Sequence, residues 1–442
     1  MTLMAELAAR ADGRPFLLSR SGTLSLDDVL RTKPDFSGLR AGDVVVLEGG
    51  FDPVSIATLL RLLDEGMIVA PITPDTAVLH EQFFRAARAD ALVYQGRVTR
   101  LPCGDRRDPL LKQLRDAGEG GLILFTSGTT GVPKAILHGA KKFLARFRTP
   151  RPALRALAFL RFDHIGGLNT LLHTLFNGGE TVTPDSLRPE DVWRDIRDFS
   201  VRLLPASPTF LRLSLLSGFA ASVPPSLELV TYGTERMDQG TLEALCEALP
   251  DVDFRQTYGM SELGILRVKS WARNSLWMRV GGEGVETKIE DGCLHIRSEN
   301  RMLGYLNAPW PFDGQGWYDT QDMVETERDA GGDAAPPWLR IIGRRGDGVN
   351  VGGLKVMPAE VERAALSLPG VRLAKAFGAS NPLTGQHVEL LCEVAVPPET
   401  PDKAREAARA LTAKLEELLP PHAVPRRIRF QNIPVSHRMK QQ

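Results

Sequence analysis

The run Thr126-Ser127-Gly128-Thr129-Thr130-Gly131-Val132-Pro133-Lys134 carries the clearest chemistry in this sequence. Small residues let backbone N–H groups converge, three threonines and a serine add hydroxyl donors, and Lys134 adds a positive charge. Together they describe a cradle for a polyphosphate. The run is not a Walker A loop, whose lysine directly follows the last glycine; here Val132 and Pro133 intervene. Taken alone, such a string also suits a polar turn between a strand and a helix.

Further segments of mixed glycine, aromatic, hydroxyl and charged residues follow in order. They are Tyr232-Gly233-Thr234-Glu235, Gln256-Thr257-Tyr258-Gly259-Met260-Ser261-Glu262 and Gly316-Trp317-Tyr318-Asp319-Thr320-Gln321-Asp322. After these come Gly343-Arg344 with Val349 to Val356, and finally Pro434-Val435-Ser436-His437-Arg438-Met439-Lys440. Leu263 stands where a GxSxG nucleophile elbow needs its second glycine, so Ser261 does not read as a catalytic nucleophile.

With the loop at 126 to 134, these segments resemble, in sequence and in order, the adenylate-forming superfamily. That superfamily includes acyl-CoA synthetases, peptide-synthetase adenylation domains and luciferases. The resemblance implies that Thr126, Ser127, Gly128, Thr129, Thr130, Gly131 and Lys134 hold phosphates. It implies that the backbone of Tyr232, Gly233 and Thr234 lines an adenine pocket, with Tyr258 and Gly259 against the base. Ser261, in place of the usual threonine, would contact the α-phosphate, and Glu262 would help to hold Mg²⁺, a hard oxygen for a hard cation. Asp322 would accept from the ribose hydroxyls and Arg344 would reach ribose or phosphate, while Gln321 replaces the family's glycine. His164, Gly166, Gly167 and Met260 fall where the family borders its acyl pocket, although a histidine between apolar residues also suits a core. Gly352 and Gly353 would line the channel for a thiol. Lys440 keeps the spacing of the family's catalytic lysine, but Val435, Ser436 and Met439 replace its usual neighbours, and a lysine so near the end also reads as a solvated tail.

The activity implied is ATP- and Mg²⁺-dependent conversion of a carboxylic acid to an acyl-adenylate with release of pyrophosphate. Transfer to a thiol follows, with CoA favoured as acceptor. A phosphopantetheine-bearing acyl carrier protein acting in trans is an alternative, as is a nucleotide- or acyl-binding protein with impaired catalysis. The Lys134 spacing argues against a P-loop kinase or ATPase.

The elements that must position these residues follow an α/β pattern. Residues 43 to 50 read as a strand, 54 to 66 as a helix, 67 to 74 as the next strand and 122 to 125 as another. Val201 to Leu216 continues the alternation, which predicts parallel strands buried on both faces over most of the first 340 residues. Glu325 to Pro337 reads as an exposed loop. Beyond it the sequence predicts a helix at 358 to 368, strands at 371 to 378 and 388 to 395, a helix at 403 to 419 and a strand near 427 to 430. The organisation expected is a large layered α/β N-terminal domain (1–342), a hinge (343–347) with Gly346 or Asp347 as pivot, and a small mobile α+β C-terminal domain (348–442).

Composition bounds the rest. Lys plus Arg equals Asp plus Glu at 54 each, so no electrostatic footprint for nucleic acid is present. Cys103, Cys246, Cys293 and Cys392 are scattered without metal-ligand spacing. Glu6 and Arg10 interrupt what a signal peptide would need, and no apolar run is long enough for a membrane span. A cytoplasmic location is expected. Arg146, Arg148, Arg151, Arg155 and Arg161 form a basic run that suits a solvated face or a docking surface for CoA or an acidic carrier. His138, His173 and His387 receive no role.

Overall fold

The computed structural model describes residues 1–126, 132–218, 224–328, 336–382 and 384–435. The strand, helix, strand expected near the N-terminus are Val44–Glu48, Pro53–Asp64 and Ile68–Ile72. Asp52 starts the helix, its side chain accepting from Ser55 N at 2.9 Å, and Pro53 takes the first helical position, where a missing N–H costs nothing.

Two seven-stranded sheets are built around parallel strands. The first has the order 304–305, 134–139, 121–126, 68–72, 44–48, 91–94 and 97–100. In the second the order is 253–256, 229–232, 203–206, 155–157, 180–182, 15–19 and 22–25. The central strands are apolar on both faces, as burial between helix layers demands.

The α/β alternation runs to about residue 257, most of the first 340 residues as expected. Between residues 258 and 344 lie the seven strands of a third sheet, in which every pairing is antiparallel. Its strands alternate in burial: along Tyr318–Glu327, Thr320, Asp322 and Val324 are buried while Gln321 and Glu325 are exposed. That period of two marks a sheet with one covered face. The same strand corrects the loop expected from Glu325. It runs on to Glu327, which pairs with Trp338 of the strand Trp338–Arg344, because the polar residues occupy the solvent side of a hairpin. Residues 329–335 lie outside the described residues.

The C-terminal elements are the helices Pro358–Leu366 and Pro401–Leu418 and the strands Val371–Asn381, Gly385–Val394 and Arg427–Phe430. With Val349–Val351 and Leu354–Val356 the strands make a five-stranded sheet. Its own apolar cluster includes Val349, Val361, Leu390 and Leu415. Two arginines tie this unit to the rest. Arg236 donates to the carbonyls of Ile342 (3.2 Å) and Ala359 (2.6 Å), and Arg212 to those of Leu366 (3.1 Å), Val371 (3.0 Å) and Arg372 (2.6 Å). Among the described residues no helix is long and apolar enough to cross a membrane.

Candidate functional site

A cleft of about 700 Å³ opens where the carboxyl ends of the parallel strands 203–206, 229–232 and 253–256 meet the third sheet and the segment 343–362. The carboxyl edge of a parallel sheet is the usual place for a ligand in α/β folds. Thr126, Lys134, His164, Gly166, Gly233, Thr234, Tyr258, Gly259, Met260, Ser261, Glu262, Asp322 and Arg344 all line this cleft.

Thr126 and Lys134 face each other across an antiparallel pair, Gly121–Thr126 with Lys134–Gly139. The loop is therefore a hairpin rather than a strand-to-helix turn, and the helix Ala140–Arg148 begins at the far end of the second strand. Ser127, Gly128, Thr129, Thr130 and Gly131 lie outside the described residues. The base of the hairpin is clamped by Asn307, which accepts from Ala135 N at 2.9 Å and donates to the Pro133 carbonyl at 2.8 Å.

Glu262 is buried, and the Tyr305 hydroxyl donates to its Oε1 at 2.7 Å. The Tyr305 ring lies 5.2 Å from Lys134 Nζ, a cation–π distance, so one tyrosine orients both the carboxylate and the lysine. Burial, and then the charge of Glu262, push the Tyr305 and Tyr318 hydroxyls far above the ordinary phenol range, so both stay protonated donors. The backbone of the Ser261-Glu262 pair is held from behind. His138 Nε2 lies 2.7 Å from the Ser261 carbonyl and Met302 N donates to that of Glu262 at 2.8 Å. Burial lowers the His138 pKa to about 4, so the imidazole is neutral at neutral pH and the carbonyl assigns its proton to Nε2.

In the same cleft, Tyr258 Oη donates to Asp322 Oδ2 at 2.6 Å and Arg344 Nε to Asp322 Oδ1 at 3.1 Å. Asp322 N in turn donates to Thr320 Oγ1 at 3.1 Å. Each carboxylate oxygen retains a lone pair for a further donor. Gln321 has φ 61, so it keeps the left-handed conformation that glycine adopts readily, despite its side chain.

Four expected residues, Tyr232, Gly167, Gly352 and Gly353, sit apart from the cleft lining. Tyr232 is 1% exposed, its ring in the core of the second sheet, while its carbonyl accepts from Thr257 N at 2.7 Å; strand alternation sends its side chain inward. A Cβ on Gly167 would lie 2.0 Å from the Arg161 carbonyl, so this glycine lets the helix Ile165–Asn177 approach the preceding loop and does not widen the pocket. His164 caps that helix, its Nδ1 accepting from Gly166 N at 3.1 Å. Gly352 and Gly353, with φ 60 and 89, form the tight turn between Val349–Val351 and Leu354–Val356, away from the cleft lining. Lys440 lies outside the described residues.

A model of the AMP-binding enzyme family matches residues 38–306, over half of the chain. The chain belongs to that family. It is 27% identical to the fatty acid–[acyl-carrier-protein] ligase MmaC of Mycobacterium marinum, over 83% of this chain and 74% of that protein. It is also 27% identical to the sulfoacetate–CoA ligase of Cupriavidus necator, over 97% and 93%. The fold matches that of o-succinylbenzoate CoA synthetase of Bacillus subtilis, solved with ATP and magnesium, with a TM-score of 0.76 at 18% identity over 99% and 98% of the two chains.

Several residues of this AMP-binding enzyme's cleft and its supports escape a reading of motifs. Tyr305 and Asn307 act across 43 or more residues of sequence on Glu262 and the hairpin, and no local pattern marks them. His138 did leave a signal. It lies on the same strand face as Lys134 by the period of two, so a strand starting at Lys134 would have placed it beside the site.

Proposed function

We propose that this AMP-binding enzyme activates a carboxylic acid with ATP and then passes the acyl group to a thiol. The observation that carries this reading is the convergence in one cleft of Lys134, Glu262 and the Tyr258–Asp322–Arg344 cluster. In the first step a carboxylate oxygen bonds to the α-phosphorus of ATP, and the bond to pyrophosphate breaks. Both reactants are anions, so the protein's task is to neutralise charge and to align them. Lys134 and the hairpin donors take the phosphates, Ser261 donates to the α-phosphate and Asp322 accepts from the ribose hydroxyls. Arg344 sits beside Asp322 and adds positive charge there.

Glu262 suits Mg²⁺. Among the described residues no group of three or more His, Cys, Asp or Glu forms a dedicated cage. An ion carried mainly by phosphates and water needs only one such carboxylate. When bound it would shield the triphosphate charge.

In the second step the thiol sulfur attacks the acyl carbon, its proton departs and AMP leaves. Gly352 and Gly353 reach the thiol only if the unit after residue 348 reorients about 343–347, and Lys440 serves the first step from that unit. CoA is the acceptor we favour, given the sulfoacetate–CoA ligase among the relatives. The carrier-protein ligase MmaC makes a phosphopantetheine arm the competing acceptor. Carboxylate-dependent exchange of labelled pyrophosphate into ATP tests the first step. Thioester formation with CoA against a loaded carrier protein tests the second. A chain that supports no exchange with any acid of a broad panel would refute the proposal.

A further inference from the structure

The helix Ile165–Asn177 turns Ile165, Gly166, Asn169 and Thr170 toward the cleft, a single face at helical spacing. The Thr170 hydroxyl is occupied, donating to the Gly166 carbonyl at 3.0 Å. Asn169 is different. Its half-buried carboxamide lines the cleft and makes no side-chain hydrogen bond among the described residues. Leu160, Met260, Ile265 and Leu276 supply apolar wall in the same cleft.

Two physical consequences follow. An apolar chain laid over Asn169 would strip water from an amide and return nothing, at a cost of about 1–3 kcal/mol. Size acts in the same direction: about 700 Å³ is what one drug-sized ligand usually occupies, and here ATP and the acid must share it. Resting on the adenylation reading above, we infer that the acid is short and bears a hydroxyl or amino group that pairs with Asn169, and is not a long unbranched fatty acid.

The test is pyrophosphate exchange with matched acids that differ by a hydroxyl or amino group against a methyl of similar volume. Hydroxy- and aminobenzoates are set against methylbenzoates substituted at the same carbon, hydroxybutyrate against pentanoate, and palmitate is added. The polar member of at least one pair exceeds its methyl partner in kcat/KM by roughly tenfold or more, and palmitate is the poorest substrate. Asn169→Leu abolishes or inverts that ratio with the KM for ATP unchanged, and Asn169→Gln keeps part of it. Preference for the methyl acids or palmitate, or a ratio unchanged in a folded Asn169→Leu protein, overturns the inference and leaves the adenylation reading standing. Exchange with no acid at all removes both.

Discussion

Replacing Tyr305 with phenylalanine deletes the oxygen that supports Glu262 and keeps the ring. The hydroxyl donates to Glu262 Oε1 at 2.7 Å inside a buried environment, and the ring faces Lys134 Nζ at 5.2 Å. A hydrogen bond to a charged acceptor is worth about 1.5–3 kcal/mol, or about 10- to 150-fold. Because Tyr318 also approaches Glu262 and can take up part of the loss, the lower half of that range is expected. The deficit belongs to orientation of Glu262, so it should be largest when Mg²⁺ is scarce. Pyrophosphate exchange measured across a Mg²⁺ titration should show kcat/KM for ATP falling about 10- to 30-fold, with the half-saturating Mg²⁺ concentration raised. Tyr305→Leu, which also removes the ring, should add a further loss of about 0.5–1 kcal/mol through Lys134. A Tyr305→Phe enzyme indistinguishable from the parent at every Mg²⁺ concentration would refute the idea that Tyr305 orients Glu262.

The remaining predictions concern stability, domain contact and the C-terminal lysine. Burial holds the His138 pKa at about 4 against an ordinary 6.5. The unfolded chain therefore binds more protons than the native one between these values, and stability contributed by neutral His138 is lost as pH falls through that window, ~2 kcal/mol by pH 5. Denaturant melts of the parent and of His138→Gln at pH 7.5 and 5 should show the smaller fall in the variant. Gln321→Gly should stabilise the fold by up to about 1 kcal/mol, since a left-handed backbone strains a residue with a Cβ; a lower midpoint in urea would contradict this. Removing the Arg212 and Arg236 side chains together deletes five hydrogen bonds to carbonyls at 342, 359, 366, 371 and 372. Proteolysis at 343–348 should then accelerate at least roughly tenfold. Lys440→Ala should slow adenylation by about 10²-fold or more, measured in the same exchange assay.

The parts of the fold that a reader could take from the sequence are those whose signals are local. Asp52-Pro53 announces a helix start, and the apolar runs at 44 to 48 and 68 to 72 announce buried strands. The C-terminal helices and strands lie within a few residues of where periodicity put them. The antiparallel third sheet was not legible, because polar residues such as Thr320 and Asp322 occupy its covered face, so its period of two does not show as an apolar pattern. At the cleft, motif residues such as Glu262 and Asp322 could be named in advance, but not what holds them. Tyr305, Asn307 and His138 become relevant only when strands distant in sequence are paired. The close packing at Gly167 and the inward ring of Tyr232 were hidden for a related reason, since a motif says which residue is present and only packing says which way it faces.

The clamp of Asn307 on the hairpin has a consequence for how this enzyme is assembled. The strand Lys134–Gly139 has Gly121–Thr126 on one side and only the two residues Gly304 and Tyr305 on the other. A chain released or cut before residue 304 would leave that strand as an open, apolar edge, with Pro133 O and Ala135 N seeking other partners. The hairpin proposed to cradle the nucleotide is thus completed late, by a segment some 170 residues downstream of it. Fragments that contain every residue of the loop itself should therefore be poor at binding nucleotide and prone to pair edge to edge with one another.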